Sequence, residues 1–432
     1  MRMPTKSKSH PEVLTFGCRL NIAESEIIRR EAEEAGLHDV VIVNTCAVTA
    51  EAERQAGQAI RRLKREKPDV KIIVTGCSSQ IDPQKYASMA EVAAVINNDQ
   101  KTQPESYDKL AGHSSSISSP SRGGLGRGEL RNISDSSHIP SLSAMQREFV
   151  EVQNGCDNAC TFCIIPFGRG ASRSVSFENV AKQVRAYVDQ GFNEIVLTGV
   201  DIASYGRDLP GVPTLGFMTR HVLTHVPDLR RLRLSSLDPA GMDEDLWELI
   251  AEEPRLMPHL HLSVQSGDDM ILKRMKRRHS NADVLSLVER ARRLRPDIVF
   301  GADVIAGFPT ETDAMFQNTY NLVKECGLTW LHVFQYSARK GTPAARMPQV
   351  HGSVRKERAD LLRAYGEEAS ARYYKSLLGT TTSVLVENHG IGCTPQFAKL
   401  KLKGEAHIGD IVDARCVKME NDMVVAEVIK TL

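Results

Sequence analysis

The sequence predicts an α/β protein in three parts: a parallel-sheet amino-terminal domain, a partial (β/α)6 barrel, and a small all-β barrel at the carboxyl end. Three observations carry this. From Pro11 to Ile96 short apolar runs alternate with polar helical stretches, and a β-α-β-α-β series implies a parallel sheet. From Glu148 to Tyr336 the alternation continues through six strand candidates, a barrel of parallel strands shorter than the eight-stranded one. Beyond Gly379 short runs alternate apolar and polar residues between turn signals, as a small closed sheet requires.

A chain of 432 residues is long enough for about three domains with substantial cores. With 41% hydrophobic and 25% charged residues it has the make-up of an ordinary globular protein. Its net charge of +1 advertises no polyanionic partner, so any nucleic-acid footprint must be local. The opening MRMPTKSKSH is basic, but no apolar core and cleavage site follow it, and no apolar run approaches the ~20 residues that span a bilayer. A cytoplasmic location with no membrane partner is expected. Nine cysteines in such a setting point to metal or catalysis before disulfides.

The first domain is placed at 10–101. Val13 to Phe16, Val40 to Asn44 and Lys71 to Thr75 read as strands, Glu24 to Ala35 as a helix closed by Gly36, and Glu51 to Lys67 as a second helix. Cys18 in TFGCRLN, Cys46 in VNTCAV and Cys77 in VTGCSSQ each follow a strand's carboxyl end. Those ends share one edge of a parallel sheet, where open α/β sheets bind ligands. The three thiols thus converge as a three-cysteine cluster with an open iron requires; the competing reading is that each packs as a small hydrophobe. Asn21, Glu24 and Ser25 read as helix caps or as polar groups beside those cysteines. The basic run from Arg61 to Lys67 ends a helix, where cations complement the dipole.

The stretch 102–144, with SSSISSPSRGGLGRGELRNISDSS at its heart, has neither hydrophobic period and reads as a flexible surface insertion at a domain boundary.

The central domain is placed at 145–375. Its first strand, Glu148 to Gln153, delivers a loop that spells C-x3-C-x2-C through Cys156, Cys160 and Cys163. Three thiolates so close together suit three corners of a cubane iron-sulfur cluster, leaving one iron open to a substrate or cofactor. Structural zinc wants a fourth ligand, usually a second C-x2-C pair, and none follows; a disulfide framework suits a small secreted domain. Later strands are expected at Glu194 to Thr198, Arg231 to Ser235, His259 to Val264, Ile298 to Ile305 and Trp330 to Tyr336. Helices fall between them at Phe177 to Gln190, Leu215 to His225, Glu244 to Glu252, Ala282 to Leu294 and Asp313 to Cys326. A barrel of six strands leaves a lateral opening for a large substrate.

Polar residues gather at the carboxyl ends of these strands, the functional face of such barrels. Gly199 and Asp201 in LTGVDIASYG, Ser235, Ser236, Gln265, and Asp303 and Gly307 in GADVIAGFPTET are candidates to hold the ribose, amino group and adenine of a nucleoside cofactor; the competing reading is turn formation. In the run Lys273 to His279, Lys276 and Arg277 are candidates for RNA phosphates, against a solvated basic face. Arg169 and Arg173 in FGRGASRS are candidates for a cofactor carboxylate or a substrate phosphate.

A polar helix from Val354 to Leu378 leads into the last domain, placed at 376–432. TTSVLVEN, PQFAKLKLKG, DIVDARCVKM and MVVAEVIK supply its strands. A barrel of this size suits RNA binding or simple packing. Cys326, Cys393 and Cys416 have no matching partners and read as packing residues.

The cysteine loop, with Phe162 just before its last cysteine, resembles the signature of radical S-adenosylmethionine enzymes. The whole arrangement resembles the methylthiotransferase family: a three-cysteine domain, a radical S-adenosylmethionine domain and a TRAM barrel. TFGCRLN, VNTCAVTAEAERQ, NGCDNACTFCIIPFGRG, LTGVDIASYG and HLHLSVQSGDDMILKRMKRRHS are most similar to its MtaB-type branch, which acts on N6-threonylcarbamoyladenosine next to the tRNA anticodon, position 37. The resemblance implies two [4Fe-4S] clusters and S-adenosylmethionine. Cys156, Cys160 and Cys163 would hold the radical-generating cluster, with Phe162 near the adenine, and Cys18, Cys46 and Cys77 the auxiliary cluster that carries the sulfur. One S-adenosylmethionine would methylate that sulfur and a second would provide the radical that activates adenine C2. It further implies a tRNA substrate, a reducing electron donor and a sulfur donor, with no catalytic residue beyond the cluster ligands. The insertion, and the segment from Gly390 to Gln396, depart from the family pattern. Rival activities are methylthiolation of isopentenyladenosine in tRNA or of a ribosomal-protein aspartate; a rival of another class is an iron-sulfur protein that only binds RNA.

Overall fold

The computed structural model describes residues 9–112 and 147–432. The opening basic residues 1–8 and the serine-rich part of the insertion, 113–144, lie outside them. The described residues form two compact units: one of 9–112, Gly155–Asp157 and Cys163–Ser172, the other of 147–154, Asn158–Phe162 and 173–432.

The first unit is a parallel sheet of β1 (Glu12–Thr15), β2 (Val40–Thr45), β3 (Lys71–Gly76) and β4 (Val92–Val95), paired in that order. VVIVNT of β2 is buried throughout because helices cover both faces of the sheet. Val40 and Ile42 pack with Ile28, Ala32 and Tyr107 on one side, and Val41 and Val43 with Ile60, Leu63 and Tyr86 on the other. Residues 102–112, assigned from sequence to the insertion, include the helix Pro104–Ala111, which ends on a left-handed Gly112. Its Tyr107 is buried and donates to the Lys101 carbonyl. One apolar face two turns long gave no period that could be told from the polar tract beside it.

The second unit holds six parallel strands: β5 (Arg147–Glu151), β6 (Glu194–Thr198), β7 (Arg231–Leu234), β8 (His259–Gln265), β9 (Val299–Ala306) and β10 (Trp330–Gln335). They form two sheets, β5-β6-β7 and β8-β9-β10, bridged at Leu232 with Leu256 and Leu237 with Leu262. β5 and β10 end the row, as a partial barrel requires. One large apolar core lies between strands and helices; Leu232 and Leu234 face it while Arg231 and Arg233 take the other face of β7.

After the helix Gly352–Ser376 come β11 (Thr381–Asn388), β12 (Ile391–Cys393), β13 (Lys399–Lys403), β14 (Ile411–Glu420) and β15 (Met423–Thr431). They close a barrel in the order β11-β12-β13-β15-β14 around Val384, Val386, Leu400, Val412 and Val424. The segment 390–396 docks this barrel on the starts of the (β/α)6 strands. Arg231 donates to the Cys393 carbonyl (3.1 Å), and Arg233 to those of Thr394 (2.8 Å) and Pro395 (2.7 Å). The Phe397 ring stacks on His259, centroids 5.1 Å apart, with the Arg147 and Arg233 guanidiniums each 5.2 Å from it. Beneath lies Glu194, fully buried, paired with Arg147 and Arg233 at 2.8 Å and Arg231 at 3.7 Å. Burial pushes its carboxyl up, but the arginines outweigh this and hold it at about 2.

Candidate active site

In the first unit the cysteines come together through sheet register. Thr15 of β1 lies opposite Asn44 of β2, and Asn44 opposite Thr75 of β3, so the three chains leave the sheet side by side. Cys18 then starts the helix Arg19–Glu34, Cys46 follows β2 directly, and Cys77 starts a one-turn helix after β3. A glycine of positive φ precedes both Cys18 and Cys77: Gly17 at +100° and Gly76 at +101°. A side chain at Gly17 would put its first carbon 2.5 Å from Cys46 Cβ and 2.6 Å from its Sγ, and one at Gly76 would strike the Thr45 backbone. Both glycines let neighbouring chains close around the sulfurs.

The thiols feel one another. Burial pushes Cys46 up to about 12, with Cys18 and Cys77 adding to the rise although the Val48 amide, 3.4 Å from its Sγ, opposes it. Burial likewise raises Cys77; Arg169 and Lys101 oppose, and Cys18 adds. Three crowded soft donors on one rim suit a polynuclear iron-sulfur centre.

Asn21, Glu24 and Ser25 do not cap the helix, whose first turn receives no side-chain cap from Cys18. All three are buried. Asn21 donates to the Phe16 (2.7 Å) and Thr45 (3.2 Å) carbonyls, and Ser25 accepts from Thr15 (2.7 Å) and Asn44 (3.0 Å). Glu24 takes Lys101 Nζ at 2.6 Å and Arg169 at 2.8 and 2.9 Å. Capping fails because Asn21 and Ser25 are engaged by the strand ends and Glu24 by Lys101 and Arg169. Arg169, a sequence candidate for a carboxylate or phosphate of a ligand, is thus buried in an ion pair of the first unit and also donates to Asn21 at 2.6 Å. Next to it, Gly168 lies against Cys77, with its carbonyl accepting from Asn98 Nδ2 at 2.7 Å.

In the second unit the loop residues Asn158–Phe162 are pinned from several elements. Asp201 accepts from Asn158 (2.6 Å) and Ser204 (2.7 Å). Thr161 bonds to the Met275 and Arg274 carbonyls and accepts from Ala344. Phe162 meets Phe308 edge-on at 6.3 Å within an apolar cluster containing Ile271, Ile305 and Tyr336. Arg277 reaches Cys160 Sγ at 3.6 Å while also holding the Ser263 carbonyl (2.9 Å) and Asp238 (3.2 Å). In the first unit, Cys156 donates its amide to the Gly170 carbonyl at 3.1 Å.

The other sequence candidates fall as follows. Gly199 packs on Gln153, whose side chain accepts from the Val200 (3.0 Å) and Asp201 (2.8 Å) amides. Ser235 is buried, and its Oγ has no hydrogen-bond partner among the described residues. Ser236 donates to Asp303 and meets Ser263, each at 3.1 Å. Gln265 has φ +66° at a break in the β8–β9 register. Gly307, φ +73°, gives its amide to Glu311 at 3.0 Å. Arg173 lies on a short antiparallel pairing opposite Asn154. Lys276 is exposed at the left-handed end of the helix Asp269–Met275. Elsewhere in that basic run Arg274 is held by Thr310, and Arg277 and Arg278 by Asp238, whose carboxyl sits well below its ordinary range because His279, Arg277 and Arg278 outweigh its burial.

Sequence reasoning missed Lys101, Gln153 and the pair His261 and His332. The two histidines flank Asp303 at 3.0 and 3.2 Å, on adjacent strands. The two imidazole contacts hold the Asp303 carboxyl far below its usual range against burial. Only their period-two placement on β8 and β10 hinted at this.

Residues 150–323 match the Radical SAM superfamily model and residues 11–97 the model of the Uncharacterized protein family UPF0004. The chain is 50% identical over 95% of its length, and 95% of the relative's, to the threonylcarbamoyladenosine tRNA methylthiotransferase MtaB of Rickettsia prowazekii. It is 33% identical to the protein of that name in Bacillus subtilis, covering 94% of this chain and 93% of that one. The tRNA-2-methylthio-N(6)-dimethylallyladenosine synthase of Cereibacter sphaeroides is 33% identical, with coverages of 93% and 94%. Among solved structures, the radical S-adenosylmethionine methyltransferase TsrM of Kitasatospora setae superposes with a TM-score of 0.54 at 14% identity, covering 78% of this chain and 74% of that one, a likeness of fold.

Proposed function

The chain belongs to the methylthiotransferase family of radical S-adenosylmethionine enzymes, and we infer that it converts N6-threonylcarbamoyladenosine at position 37 of tRNA to its 2-methylthio derivative. The observation that carries the reading is the pairing of two three-cysteine sets in a chain half identical along its length to a relative named for that reaction. Bound clusters and S-adenosylmethionine supply radical and sulfur chemistry that no side chain provides, because a hydrogen on an aromatic carbon is beyond acid-base catalysis.

The residues supply position. Cys156, Cys160 and Cys163 hold one [4Fe-4S] cluster, and Cys18, Cys46 and Cys77 the auxiliary one. Asp201, through Asn158, and Thr161 keep the radical loop from moving, and the Arg277 guanidinium offsets thiolate charge at Cys160. Ser235, Ser236, Gln265, Asp303 and Gly307 line the strand ends where S-adenosylmethionine is to be held, and Phe162 offers an apolar wall to its adenine. Lys276 and Arg173 are offered to tRNA phosphates. A reductant must deliver electrons and a sulfur donor must recharge the auxiliary centre. The setting is the cytoplasm; no described helix is long and apolar enough to cross a membrane.

Nucleoside analysis of tRNA from a deletion strain tests the substrate. The 2-methylthio form of threonylcarbamoyladenosine should vanish and its unmodified precursor accumulate. Loss of the dimethylallyl derivative instead would assign the chain to the sister activity.

A further inference from the structure

We propose that Arg169, Glu24 and Lys101 form a buried electrostatic support for the auxiliary centre, in which the excess cationic charge offsets the negative charge of a cluster held by three thiolates. The inference rests on the assignment of that cluster to Cys18, Cys46 and Cys77.

Glu24, Lys101 and the Arg169 side chain are almost completely buried, at 3%, 1% and 2% exposure. Two cations share the Glu24 carboxylate, which can neutralise one of them. Burial alone pushes Glu24 up, but Arg169 and Lys101 hold it at about 2, so it stays ionised at neutral pH. Uncompensated buried charge is costly. An excess cation in a core is therefore expected to have an anionic counterpart nearby.

The sulfurs are that counterpart. Arg169 donates to Asn21 Oδ1 at 2.6 Å, and Asn21 Nδ2 donates to the carbonyls of Phe16, two residues before Cys18, and of Thr45, the residue before Cys46. Gly168, the neighbour of Arg169, contacts Cys77 directly, and a side chain there would press on Cys77 Cβ at 3.2 Å. Asn98 spans the two, with Nδ2 bonded to the Gly168 carbonyl at 2.7 Å and 4.0 Å from Cys77 Sγ. A [4Fe-4S] core in its oxidised state with three thiolates bears one net negative charge, and a second after accepting one electron. Nearby charge and hydrogen bonds to sulfur set the potential of that step. Arg169 also stands six residues past Cys163, so the peptide that leaves the radical loop carries the cation of the auxiliary rim.

Arg169, Lys101 and Glu24 are thus positioning residues, and charge sign separates this role from simple packing. The full chain with Cys156, Cys160 and Cys163 changed to Ala, reconstituted anaerobically with iron and sulfide, isolates the auxiliary centre. Failure of that parent to bind iron would overturn the cluster assignment itself. Given iron in the parent, dithionite titration followed by electron paramagnetic resonance reads the reduction potential. Arg169→Gln and Lys101→Met should each shift it downward, Glu24→Gln should shift it upward, and Arg169→Lys should restore most of the parent value. Loss of iron in the two cation variants with retention in Glu24→Gln also supports the proposal. Shifts of one sign in all three, no shift, or loss of iron in all three would overturn it.

Discussion

Cys156, Cys160 and Cys163 follow one another on a single loop, whereas Cys18, Cys46 and Cys77 come from three strand ends aligned by register, Thr15 beside Asn44 and Asn44 beside Thr75. The first set depends on local backbone and on the groups that pin it, such as Asp201 through Asn158. The second depends on a parallel sheet being formed first, with the two glycines that let its rim close. A short-range motif tolerates distant change; a rim assembled from remote segments inherits every weakness of the sheet beneath it.

The sharpest way to separate the two sets is to remove one sulfur from each. Cys160→Ala should abolish 5'-deoxyadenosine formation under reduction and remove roughly half the iron, the share of one cubane of two. Cys46→Ala should remove a similar share, keep 5'-deoxyadenosine formation, and abolish the 2-methylthio product. Equal loss of 5'-deoxyadenosine in both would break the distinction.

A smaller effect probes the dependence on the sheet. Gly76→Val places a β-branched residue at φ +101° against the Thr45 backbone. It should cost about 3 kcal/mol, seen as a lowered melting temperature, and empty the amino-terminal centre while the loop centre still fills.

Acid should weaken the two units over one pH window, because Glu24 in the first and Glu194 in the second are both held at about 2 against an ordinary 4.5. Folded, each binds its proton less readily than unfolded. Their contribution is therefore complete above about pH 4.5 and fades as pH falls toward 2. Glu194→Gln should flatten the acid limb of a pH–stability curve; an unchanged limb would show the arginine cluster contributes nothing through charge.

The smallest change is expected at Lys276, which is exposed. Lys276→Ala should leave stability within about 0.5 kcal/mol, yet weaken tRNA binding and reduce the salt slope by about one. An unchanged slope would remove Lys276 from the tRNA contacts.

Most of the frame was legible because it is written in short-range patterns. C-x3-C-x2-C, the runs that became the six barrel strands and the alternation that became the closed β-barrel all lie within windows of a few residues. Even the convergence of Cys18, Cys46 and Cys77 could be read, since a parallel sheet puts strand ends on one edge. What stayed hidden depends on which charges share a buried space. Nothing near Lys101 or Arg169 in the chain announces that both end on Glu24, and nothing in R-L-R-L announces that Arg231 and Arg233 secure the final barrel rather than meet RNA. Local sequence determines where chain direction and period change; tertiary structure alone decides the partners of buried ions, because desolvation makes each charge depend on whatever group the fold brings within a few ångströms.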